Sequence, residues 1–205
     1  MHLVVLIMAS GNDRRGWTEE NPKQLAAIRG EPLMLRTIRQ VRERGYDAVV
    51  MSDKPAVRKL LPDAKLPQDS SNCCRSLLST RPYWQTRTII LAGDTVFSEA
   101  ALDMIFADDE PLSVVGDAGE IFAIIFDESE QQRVATAARD AAVKIEEGAH
   151  THLWIFYRVI CDFDDVATHR FDDIIYRKVP EGDRTLDIDT PETYRAVRAR
   201  FERIK

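Results

Sequence analysis

Apolar positions along this chain fall into two rhythms, continuous short runs and helical spacing, and they alternate. Leu3 to Met8 is an unbroken apolar run rich in branched side chains, the pattern of a parallel strand buried on both faces. It stops at the small residues Ala9-Ser10-Gly11 and gives way to a polar stretch, Asn12 to Glu20, that carries Arg14 and Arg15. Pro22-Lys23 leads into a short apolar piece, Gln24 to Ile28, and Gly30-Glu31-Pro32 makes a turn. Leu33, Leu35, Ile38 and Val41 recur near helical spacing with arginines between them, which predicts an amphipathic helix over Pro32 to Arg44, ended by Gly45. Ala48 to Met51 is the next predicted strand, closed by Ser52-Asp53-Lys54-Pro55, and Val57 to Leu61 is a short helix before Pro62. Strand, loop, helix and strand in this order fit a parallel sheet with right-handed crossovers.

The second half repeats the alternation. Pro67 to Arg75 is polar, and a helix is predicted to begin at Ser76 and run to Thr80. Thr88 to Ala92 is a compact apolar strand, followed by Gly93-Asp94-Thr95-Val96-Phe97 and a helical run from Glu99 to Phe106. Leu112 to Val115 and Ile121 to Phe126 read as strands, and the Gly-containing link between them suggests local antiparallel pairing. Glu128 to Glu147 is helical in composition, with Gly148 as its stop. Leu153 to Tyr157 is a helix or a strand, and Phe171 to Val179 could supply an edge strand. Thr190-Pro191-Glu192 opens a terminal helix, with Thr190 as its cap. No repeat, low-complexity tract or linker divides the chain, so residues 1–205 are expected to form one domain.

Composition narrows the possibilities. The chain is 44% hydrophobic and 30% charged, ordinary for a globular protein. A net charge of −6 argues against a general nucleic-acid-binding surface, while leaving small phosphorylated ligands open, since a few local cations suffice for those. No apolar run approaches the ~20 residues needed to cross a bilayer, and the N-terminus lacks a basic stretch and a cleavage-like site. No membrane partner is expected. Cys73, Cys74 and Cys161 have no metal-ligand spacing and leave one thiol unpaired, which suits a reducing cytoplasm. His150 and His152 would share one face of a strand, but no third metal ligand accompanies them, so packing or surface roles are favoured.

Chemistry concentrates in three places. The first is Leu3 to Leu25, where a buried strand empties into a small-residue loop with cations, a sound place to hold a phosphate chain on backbone N–H groups. The second is Gly93-Asp94 at the end of an apolar run, where ligands of open α/β sheets collect. By itself Asp94 would be read as a helix cap. The third is Leu186-Asp187-Ile188-Asp189-Thr190-Pro191-Glu192-Thr193-Tyr194, in which Asp187 and Asp189 project to the same side if the segment is extended.

Together these phrases resemble the nucleotidyltransferases of the sugar-nucleotide pyrophosphorylase and molybdopterin-nucleotidyltransferase type. Met8-Ala9-Ser10-Gly11, Arg15 and Pro22-Lys23 match the opening signature, Leu91-Ala92-Gly93-Asp94 the middle one, and Asp187 to Tyr194 the closing one. Two positions depart from the pattern: Asp13 stands where the family usually has its second glycine, and Thr193 replaces its usual acid. The resemblance implies a three-layer α/β/α sandwich with a mostly parallel mixed sheet, a GT-A-like nucleotide-diphospho-sugar transferase fold. It implies transfer of an NMP from an NTP to a phosphorylated acceptor, a sugar phosphate by first choice, with release of pyrophosphate. Arg15 would stabilise the leaving pyrophosphate and Lys23 the α-phosphate. Ala9, Ser10, Gly11, Gln68, Ser76 and Gly93 are candidates for the nucleotide. Gln68 and Ser76 are equally explained by a surface loop and a capped helix. Asp94, with Asp187 or Asp189, would hold Mg²⁺. Glu120 could contact the acceptor, although an exposed turn carboxylate is the ordinary reading of its surroundings. Two rivals remain open: a glycosyltransferase of the same fold, against which Val96 stands where an Asp-x-Asp needs its second acid, and a nucleotide-binding module without chemistry.

Overall fold

The computed structural model describes residues 2–10, 16–117, 120–149, 152–163 and 175–202. The first apolar run forms β1 (Leu3–Met8), and after the signature loop a 3-10 turn, Lys23–Leu25, leads to a two-residue hairpin of β2 (Ala27–Ile28) and β3 (Glu31–Pro32). Then follow α1 (Leu33–Glu43), β4 (Ala48–Met51), α2 (Pro55–Leu60) and α3 (Cys73–Ser79). The middle of the chain supplies β5 (Arg87–Ala92), β6 (Thr95–Val96) and α4 (Glu99–Ala107). Next come β7 (Leu112–Asp117), β8 (Glu120–Asp127), α5 (Gln131–Glu146) and α6 (Leu153–Ile160). The chain closes with β9 (Tyr176–Lys178), β10 (Leu186–Asp187) and α7 (Pro191–Glu202).

Six strands make one sheet in the order β4-β1-β5-β8-β7-β9. The β4-β1, β1-β5 and β7-β9 pairs are parallel, and β8 runs antiparallel to both its neighbours. The sheet is therefore mixed and mostly parallel. Alternation along each strand sends side chains to two separate cores, as the pleat requires. Val5 and Ile7 of β1 pack with Met34, Ile38 and Val41 of α1, Val57 of α2 and Leu102 and Ile105 of α4. Leu6 faces the other way, toward Leu77 of α3, Ala138 of α5 and Phe156 of α6. Helices α1, α2 and α4 thus cover one face of the sheet and α3, α5 and α6 the other, the expected three-layer sandwich. No helix among the described residues is long and apolar enough to cross a membrane.

Two segments differ from their sequence reading. Helix α3 begins at Cys73 rather than Ser76, because the Asn72 side chain accepts from the Arg75 N–H at 2.9 Å and caps the helix earlier. Ser76 is consequently inside the helix, 3% exposed. The link at Gly116-Asp117 is strand as well. β7 runs to Asp117 and β8 starts at Glu120, with a register shift between Val115 and Gly116. Gly116 is required there, because a Cβ would lie 2.0 Å from the Glu120 carbonyl oxygen. Glu120 therefore sits on a strand, partly buried, and not in an exposed turn.

Candidate active site

The carboxyl ends of β4, β1 and β5 are sewn together before any functional side chain is placed. The Ala9 N–H donates to the Met51 carbonyl at 2.8 Å, and the Ser52 hydroxyl donates to the Ala9 carbonyl at 2.9 Å. The Ser10 hydroxyl donates to the Met51 carbonyl at 3.2 Å. On the other side the Gly93 N–H donates to the Met8 carbonyl at 2.8 Å, and a Cβ at position 93 would meet that same oxygen at 2.5 Å. Only glycine allows this approach. Ala9, Ser10 and Gly93 thus share one edge of the sheet, where β1 lies between the strands that precede and follow the crossover.

Asp94 follows directly, and a short ladder brings the far end of the chain to it. β6 and β10 pair antiparallel, Thr95 opposite Asp187 and Val96 opposite Leu186. The Ile188 N–H then donates to the Asp94 carbonyl at 3.1 Å. As a result one carboxylate oxygen from each of Asp94, Asp187 and Asp189 lies within 4.8 Å of the others. Lys23 reaches the same place from its 3-10 turn: its ammonium pairs with the Asp94 carboxylate and with Asp189 Oδ1 at 3.3 Å.

The segment that carries these groups has its own small core. Trp17, Ala26, Ile28, Leu33, Val96, Ile188, Val197 and Phe201 form a cluster apart from the two sheet cores. The Tyr194 hydroxyl of α7 donates to the Ala27 carbonyl at 2.8 Å, and Arg29 Nε donates to the Phe201 carbonyl at 2.7 Å. The start of α7 is a reciprocal cap: the Thr193 N–H donates to Thr190 Oγ1 at 3.1 Å and the Thr190 N–H to Thr193 Oγ1 at 2.8 Å. That is capping-box geometry with a threonine in the acid's place. It accounts for Thr193 locally. Helix α7 therefore holds β2, which follows the Lys23 turn, and packs with Val96 and Ile188 beside the β6–β10 ladder.

Electrostatics follow from crowding. Burial, with the Asp94 carboxylate next in weight, pushes the Asp187 carboxyl well above the ordinary carboxylate range, while Lys23 pulls it back. Asp187 Oδ1 is closed to solvent and has no hydrogen-bond partner. Burial also lifts Glu120, helped by Asp189 and Asp94 and opposed by His152 and Lys23. Burial alone would lower the Lys23 ammonium, but Asp94, Asp187 and Asp189 overturn that and hold it above the usual lysine value. Hard carboxylate oxygens crowded this closely, one of them an orphan, suit a small divalent cation.

The candidates separate accordingly. Lys23, Asp94, Asp187 and Asp189 converge, and Glu120 shares their electrostatic field. Gln68 is exposed on the loop before α3, and Ser76 is a buried helix residue whose Oγ has no partner. Gly11, Asp13 and Arg15 lie outside the described residues, as does His150. The Lys23 ion pairs and the electrostatic influence of His152 on Glu120 leave no local pattern in the sequence, because the partners come from distant elements.

No protein-family model matches the chain, nor does any curated protein sequence. Solved structures do. A Bacillus anthracis protein assigned as a glucose-1-phosphate thymidylyltransferase superposes with a TM-score of 0.67 at 12% identity, over 100% of this chain and 97% of that one. The CTP:phosphocholine cytidylyltransferase of Streptococcus pneumoniae gives 0.64 at 15% identity, over 97% and 99%. The inositol-1-phosphate CTP transferase of T. maritima gives 0.57 at 14%, over 98% and 96%. These likenesses establish the fold, the α/β/α sandwich on which nucleotidyltransferases are built.

Proposed function

We propose that the protein is a nucleotidyltransferase that moves an NMP from an NTP to a phosphorylated small-molecule acceptor. The observation that carries this is the convergence of Lys23, Asp94, Asp187 and Asp189 at the carboxyl edge of the sheet, in a fold shared with structures named for that chemistry. An oxygen of the acceptor phosphate would attack the α-phosphorus. The bond from that phosphorus to the bridging oxygen of the β-phosphate would break, with its electron pair leaving on pyrophosphate.

Little covalent work falls to the protein, so positioning and charge neutralisation supply the catalysis. Ala9, Ser10 and Gly93 offer backbone and small side chains against which a nucleotide can lie. Lys23 would neutralise the α-phosphate, and Arg15 is assigned to the leaving β- and γ-phosphates. Asp94 and Asp187, with Asp189 beside them, would hold Mg²⁺, which when bound neutralises phosphate oxygens. Glu120 is the candidate for hydroxyl or cationic groups of the acceptor. A sugar phosphate is the first choice of acceptor, and a cytoplasmic location suits the three free thiols.

A pyrophosphate-release screen tests this, with the common NTPs set against sugar phosphates and alcohol phosphates in Mg²⁺. The proposal requires release that depends on both acceptor and metal. Release of an NDP from a nucleotide sugar, without pyrophosphate from any NTP, would replace it with the glycosyltransferase reading.

A further inference from the structure

We propose that Lys23 is the resident cation of the Asp94–Asp187–Asp189 site, and that a divalent ion enters by displacing its ammonium from those carboxylates. This rests on the metal reading above and adds to it a second task for Lys23. The ammonium pairs directly with Asp94 and Asp189, two of the three carboxylates whose oxygens lie within 4.8 Å of one another. An ammonium and a divalent ion sharing those oxygens would repel each other at short range in a partly buried site, so one must yield. The ammonium also leaves the site incompletely served, since Asp187 Oδ1 is closed to solvent and has no partner. A multiply charged ion with several coordination positions can serve all three carboxylates, whereas one lysine pairs with two.

The backbone is arranged for a side-chain movement rather than a loop movement. Pro22 precedes Lys23 at φ −72°, the Leu25 N–H donates to the Pro22 carbonyl at 2.9 Å, and the Ala26 N–H donates to the Lys23 carbonyl at 3.0 Å. The turn is pinned while the four-carbon stem remains rotatable. Displacement would turn a charge that neutralises carboxylates into one available to a phosphate. The site would then be held together before metal arrives and armed by its arrival.

The test is Mn²⁺ binding without nucleotide, read by the electron paramagnetic resonance signal of free Mn²⁺, on the native chain, Lys23→Met, Lys23→Arg and Asp187→Asn. Removing the internal competitor should tighten Mn²⁺ binding in Lys23→Met by at least ~10-fold. Lys23→Arg keeps a competing charge and should stay close to native. Asp187→Asn should bind weakly. Lys23→Met should also melt lower than native without metal and recover when Mn²⁺ is added. Equal or weaker binding in Lys23→Met, with binding lost in Asp187→Asn, would overturn the displacement and leave the metal site standing. Native-like binding in Asp187→Asn would remove the metal site itself and the proposal with it. Should Lys23→Met fail to fold, amine acetylation of the native chain decides, followed by mass spectrometry: Lys23 must become more reactive when Mn²⁺ is added, and no change overturns the idea.

Discussion

The six-stranded sheet and the cluster around Lys23 are built on opposite rules. In the sheet, Val5, Leu6 and Ile7 are each 0% exposed, and their neighbours on β5, Ile89, Ile90 and Leu91, are as apolar. The packing of these side chains is non-directional burial, little affected by ions or pH. At the site, carboxylates and an ammonium are crowded onto a single turn and a two-residue ladder. Such a cluster gains little net stability from its charges, because desolvation offsets attraction. The contrast explains why the site lies where it does. A rigid apolar sheet can carry a poorly satisfied polar cluster at its edge, and α7 ties that cluster down from outside.

The comparison breaks if sheet variants and site variants behave alike. The largest effect should come from Leu6→Ala, which opens space between β1 and the α3, α5 and α6 face. Chemical denaturation should show a loss of about 2–5 kcal/mol, with kcat per folded molecule unchanged. Lys23→Ala should act chiefly on turnover. We expect kcat to fall by at least ~10²-fold, the scale of losing one preorganised electrostatic contact, with a smaller change in NTP affinity by titration. A Lys23→Ala variant that loses only affinity would remove its catalytic role.

Two smaller effects sharpen the contrast. Thr193→Ala deletes one half of the α7 cap and should cost about 1 kcal/mol by urea melting. Because Tyr194 of α7 bonds to Ala27, just after the Lys23 turn, activity should also fall modestly; a stability loss with untouched kinetics would show that α7 is only a strut. Glu120→Gln tests the sign of the site's strain. Folding lifts the Glu120 carboxyl, through burial first and Asp189 next. The folded chain therefore holds this proton more tightly than the unfolded one. Its contribution to stability is present below the unfolded carboxylate value and is lost as pH rises through the raised one. The Gln variant should match native in acid and be slightly more stable near neutrality, measured by urea melts across that range.

How much the sequence revealed follows the same division. Ala48–Met51 forms the strand its four apolar residues predict, and α1 covers Leu33–Glu43 against an expected Pro32 to Arg44, because burial imprints a period on sequence. The β6–β10 ladder could not be read that way; two residues carry no period. Asp94 and Asp187 were associated through the resemblance of their phrases, and only the ladder shows the contact physically. The Lys23 ion pairs had no signal, since Lys23, Asp94 and Asp189 sit on three separate segments. The start of α3 differs from the sequence expectation for a local reason: the Asn72 side chain caps the helix at Cys73, ahead of the apolar onset after Ser76.

A nucleotidyltransferase of the kind proposed changes bonds at the α-phosphorus of an NTP. The most direct measurement follows NTP labelled with ³²P at the α position, incubated with Mg²⁺ and a phosphorylated acceptor and separated by chromatography. The label should move into an acceptor-linked nucleotide, unlabelled pyrophosphate should form in equal amount, and Asp94→Asn should abolish both. Label found only in free NMP or NDP, or unchanged turnover in Asp94→Asn, would contradict it.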